Sequence, residues 1–135
     1  MAKYFVGLVG IMYLALGAWC SLDPDTTSEA VGFSLMFGKG QSEFLTVYGG
    51  WEVAMGIVFL LPLVQKHWLP YSLQVCVIMH GCLVIFRSIG FLLFDAAEGM
   101  TLQLAMGEWI VFILSFLFAV GLKRKKEGVQ LSTSR

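Results

Sequence analysis

Four apolar stretches, each near or above the ~20 residues that a helix needs to cross a bilayer, decide what this chain can fold into. They run from Tyr4 to Leu22, Glu43 to Val64, Pro70 to Phe94 and Thr101 to Leu122. Hydrocarbon offers no partner for backbone N–H and C=O groups, so each stretch must be a helix that satisfies its own. One small core could not hide them. Of the 135 residues, 58% are hydrophobic and 13% charged, against roughly 25% charged in a soluble domain. The sequence therefore predicts an all-α integral membrane protein, a single four-helix bundle over residues 1–135 covered by lipid. Pro24, Pro62 and Pro70 fall at or near the ends of the stretches, where a missing amide donor costs little.

The first stretch is too long for the apolar part of a signal peptide, and no A-x-A site follows it. In "LGAWC", Trp19 stands where lipoprotein cleavage would need a small residue before Cys20. The stretch reads as a retained helix. Cys20, Cys76 and Cys82 are odd in number and lack C-x-x-C spacing. They read as structural thiols packed among apolar side chains, without redox or metal chemistry.

Four spans put both termini on one side. That side carries Lys3, Lys66 in "QKHW" and the basic tail "KRKKEGVQLSTSR", residues 123–135. The other side has Lys39 as its one basic residue but holds Asp23, Asp25, Glu29, Glu43, Asp95 and Glu98. By the positive-inside rule both termini are cytoplasmic. This implies a multi-pass protein of the plasma membrane, or of the inner membrane in a bacterium. The tail reads as a stop-transfer anchor, with charge enough to touch anionic lipid. Between the first two spans, Thr26 and Glu29 form a capping-box pattern. Val31, Phe33, Leu35, Met36 and Phe37 follow before Gly38 and Gly40. That pattern predicts a short external helix at the membrane surface or over the bundle mouth.

At ~1.5 Å per residue, Glu52 lies about 13 Å below the external start of its span. Arg87 and Glu108 each lie about 10 Å from the external ends of theirs. Three ionisable groups from three helices therefore share one layer. Tyr13 lies near the same depth, and Tyr48 sits one turn above Glu52. A charge alone in hydrocarbon costs several kcal/mol or changes its protonation state, so these groups are expected to face inward and meet in one hydrogen-bonded layer. Arg87 can hold one acid in a bidentate contact; the surplus acid needs a proton, a ligand, a tyrosine or water. His80 follows deeper on the Arg87 stripe. It has no second histidine at ligand spacing, so no metal site is expected. Gly7, Gly10 and Gly17, with Gly49 and Gly56, form small-residue stripes suited to close helix contact. No phosphate-cradling loop, nucleophile–base pair or dinucleotide motif is present, and nothing points to nucleic acid.

"SEFLTVYGGWEVAMGIVFLL", "FRSIGFLLFD" and "AMGEWIVFIL" resemble the DoxX-like group of four-helix membrane proteins, and within it a family of unknown function. The likeness covers nearly the whole chain. Tyr48 with its Gly-Gly pair, Arg87 and Glu108 stand at recurring positions of that family. Leu45 departs from it, occupying a place where an arginine is common. The resemblance implies the four-helix fold, and a range of activities from quinone-linked redox subunits to assembly factors.

The leading expectation is a pocket, walled by Met55 and Phe59, for a lipophilic small molecule with one polar end, quinone- or isoprenoid-like. Arg87 would orient that end and Glu52 or Glu108 would exchange protons with it. Tyr48 would cap the pocket and residues 28–37 would act as a lid. The alternatives are an assembly chaperone or accessory subunit packed against a membrane-protein partner, and a small proton-coupled exporter working as a homo-oligomer. The sequence does not decide whether the protein is an enzyme.

Overall fold

The computed structural model describes residues 1–133, with side chains described through Lys125. Among these residues there are helices and no strands. They are α1 (Ala2–Leu22), α2 (Pro24–Ala30), α3 (Lys39–Val64), α4 (Leu69–Phe94) and α5 (Gly99–Thr133), with a 3₁₀ turn at Lys66–Trp68. Four of them, α1, α3, α4 and α5, are long and apolar enough to cross a membrane. The expected spans are all present. α3 begins one turn earlier than its apolar stretch, at Lys39. Of the basic tail, residues 126–135 lie outside the side chains described.

The bundle is assembled from two helix pairs, α1 with α3 and α4 with α5, and α4 also packs on α3. Glycines explain the first pair. A Cβ on Gly10 would come 2.9 Å from the Gly56 carbonyl, and one on Gly56 would come 3.0 Å from the Gly10 carbonyl. Gly17 meets the Gly49 carbonyl in the same way, at 3.0 Å. The small-residue stripes thus face each other and let two backbones touch, the usual route to tight packing where lipid removes the hydrophobic drive between helices. Val6, Val9, Tyr13, Phe59, Leu73, Cys76 and Val111 close the core. Ser72 Oγ donates to the Val58 carbonyl at 2.8 Å and ties α4 to α3.

The connection from α1 to α3 differs from its expected form. The helix starts before the Thr26–Glu29 pattern: Asp23 is the cap, accepting from the Thr26 N–H at 3.3 Å, and Pro24 opens the first turn. It also ends sooner, because Gly32 takes φ 84° and turns the chain. Val31 to Phe37 are therefore outside any helix. Gln41 Nε2 donates to both Asp25 carboxylate oxygens at 3.0 Å and holds α2 against the start of α3. At the far end of α4, Asp95 adopts φ 48° and stops the helix.

The thiols also need correction. Cys76 is buried in the core, but Cys20 is half-buried and Cys82 is exposed on the outer face of α4. An outward thiol in a lipid-facing helix is solvated by acyl chains, so it needs no packing partner inside the protein.

Candidate functional site

Arg87 on α4 and Glu108 on α5 form the ion pair of the site. Arg87 Nε donates to Glu108 Oε2 and Nη2 to Oε1, each at 2.6 Å. The contact is bidentate, and the two side chains are 26% and 13% exposed. It follows from the fold: α4 and α5 are antiparallel neighbours, and the two residues sit at matching depth from the connection that joins them.

Glu52 does not join them by hydrogen bonding. Its carboxylate lies within electrostatic reach of Glu108 and of Tyr13, yet its Oε2 is buried without a hydrogen-bond partner. The expected three-membered hydrogen-bonded layer is thus a bonded pair and a separate acid. Equal distance along the helices is not enough for contact, because the direction of each side chain around its helix also decides it. α3 packs chiefly on α1 and meets α5 little, so the Glu52 carboxylate stops short of the pair.

The backbone before Glu52 is unusual. Leu45–Gly50 is a π-helical turn inside α3, ending at Gly49 and Gly50. Such turns cluster at functional sites. It carries Tyr48, whose ring stacks on Phe44 with centroids 4.5 Å apart and takes Phe33 edge-on at 5.8 Å. The 28–37 segment therefore reaches over the outer end of α3 through Phe33. Tyr48 also lies within electrostatic reach of Arg87.

Deeper in the bundle Tyr13 and His80 meet. The Tyr13 hydroxyl is 3.2 Å from His80 Nε2, and His80 Nδ1 is 2.9 Å from the Cys76 carbonyl. That carbonyl can only accept, so in the neutral imidazole Nδ1 carries the proton and Nε2 accepts from the Tyr13 O–H. Both residues are candidates individually on sequence grounds. Their contact is not legible there, because nothing in the sequence gives the rotation of α1 against α4.

The residues expected to wall the pocket lie in the core. Phe59 is fully buried, packed edge-on against Tyr13, and Met55 rests on the same core. A groove of about 420 Å³ opens between α4 and α5, lined by Arg87, Glu108, Phe91, Met106 and Trp109. Among the described residues no group of His, Cys, Asp and Glu could hold a metal ion.

These features define a class: a small multi-pass membrane protein with four spans, one intramembrane ion pair and one unpaired acid beside it. Comparison with family models, curated proteins and solved structures gave no match to this chain.

Proposed function

We propose that the region of Glu52, Arg87 and Glu108 binds the polar end of a lipophilic small molecule, quinone- or isoprenoid-like, and that Glu52 exchanges a proton with it. One observation carries this reading: Arg87 and Glu108 satisfy each other, which makes Glu52 the surplus acid, with a buried oxygen that nothing in the protein satisfies. A buried carboxyl in that condition costs on the order of 1–3 kcal/mol. A ligand hydroxyl or carbonyl removes that cost by donating to Glu52 or accepting from it. The groove beside Arg87 supports the reading by offering apolar wall for the rest of the molecule. Phe33 on Tyr48 supports a cover at the outer end. Membership of the DoxX-like group and cytoplasmic termini belong to the same proposal.

The test is solvent extraction of the detergent-purified protein followed by mass spectrometry, on the wild type and on Glu52→Gln. The wild type is expected to carry a near-stoichiometric amphiphile, and the Gln variant to stay folded while its bound amount falls. A wild type that carries none, with Glu52→Gln fully active in cells, refutes the proposal and favours an accessory subunit.

A further inference from the structure

The opposite end of the bundle holds a second feature, independent of the Glu52 region. Lys3 stands in the first turn of α1, Lys66 in the turn between α3 and α4, and Lys125 where the apolar span of α5 ends. Far apart in sequence, the three line one cleft of about 380 Å³. Its remaining wall is apolar, with Pro62, Leu69 and Leu122, and no acidic side chain lines it. Lys3 Nζ lies 4.8 Å from the ring centroid of Tyr4, which holds the ammonium over an aromatic face at the cleft's edge.

Three like charges brought together repel one another, and among the described residues none of the three is paired with a carboxylate. An anion bound between them removes that repulsion. The level of the cleft selects the anion. All three lysines sit at the ends of apolar spans, where the phosphates of a bilayer lie. A second groove, of about 400 Å³, shares Leu122 with this cleft and runs along α4 and α5 past Leu73, Val77, Ile78 and Phe116. From Pro70 to Ile78 it follows α4 for about 12 Å, toward the membrane centre and without a charge except Lys123 at its mouth.

We propose that this cleft is a binding site for an anionic glycerophospholipid. The phosphate sits among Lys3, Lys66 and Lys125, and one acyl chain lies in the α4–α5 groove. The lysines select charge, and the groove selects a lipid over a soluble phosphate.

Native mass spectrometry of the full chain in detergent tests this, with phosphatidylglycerol and phosphatidylcholine of identical acyl chains as probes. The wild type is expected to retain phosphatidylglycerol preferentially. Lys66→Gln should weaken that retention by about fivefold, the effect of one lysine at a membrane surface. Arg124→Gln removes a charge from the same end but outside the cleft, and should weaken retention clearly less than Lys66→Gln does. These are surface substitutions, and unchanged helical content confirms the fold in each variant. Equal retention of both lipids by the wild type overturns the proposal, as does equal loss in the two variants. Inorganic phosphate in millimolar excess should leave the lipid bound. Displacement by phosphate alone identifies a soluble anion as the occupant and overturns the lipid assignment.

Discussion

Replacing Arg87 by Leu should destabilise the protein by about 3 kcal/mol. The figure comes from the geometry. Two charge-assisted hydrogen bonds of 2.6 Å are lost together, and Glu108, 13% exposed, is left without its cation. Breaking a buried pair costs ~3–5 kcal/mol. The low end applies because Arg87 keeps about a quarter of its side-chain surface outside the protein. Glu108→Leu should cost a similar amount by leaving the guanidinium alone. The double variant Arg87→Leu/Glu108→Leu strands neither charge, so it should be more stable than the sum of the singles predicts, by at least about 1.5 kcal/mol. Reversible denaturation in mixed micelles, followed by circular dichroism, measures all four corners of the cycle. Strictly additive losses would refute the argument, because they would mean that the two side chains do not share one interaction.

Three further outcomes are expected. Tyr13→Phe removes the O–H that reaches His80 Nε2 and should cost about 1–2 kcal/mol in the same assay, since that buried nitrogen then lacks a donor; a change below measurement error counts against the contact. Gly10→Ala pushes a methyl group to 2.9 Å from a backbone carbonyl that cannot move aside, and should cost ~1–3 kcal/mol. Gly107→Ala meets nothing within 4 Å and should gain ~0.5–1 kcal/mol; equal effects at the two positions would contradict the α1–α3 crossing. In a cysteine-free background, a cysteine at Asp95 should react with a membrane-impermeant maleimide on intact cells, and one at Lys66 only after lysis. The reverse pattern inverts the topology.

Most of the fold was legible because the bilayer permits few answers. Length and apolarity fixed four helices, and the facing glycines fixed which helices press together most closely. The connection before α3 was less legible. There Thr26–Glu29 and Asp23–Pro24 both spell a helix start within a few residues, and a capping pattern cannot say which competitor wins. The proline settles it, since its fixed φ favours the first helical turn at Pro24. Gly32 then closes the helix before the apolar run expected to extend it.

The rotation of the helices that carry the site was not legible in the sequence, because packing between helices sets it. Counting 1.5 Å per residue places Glu52 in the layer of Arg87 and Glu108, and small errors in rise scarcely move it. Direction is far less forgiving. A π turn inserts one residue into the helix, which swings the residues before it by about 100° relative to those after it. In α3 this happens at Leu45–Gly50, between Phe44 and the Gly56 face that meets α1. Gly56 must face Gly10, so the half of α3 below the turn is fixed by packing. The turn itself carries Tyr48, whose ring meets Phe44 and Phe33. Glu52 follows the turn, on the part of α3 whose glycines pack against α1. Tight glycine packing sets the direction of α3 after the turn, and that direction leaves the Glu52 carboxylate without a hydrogen bond to the Arg87–Glu108 pair.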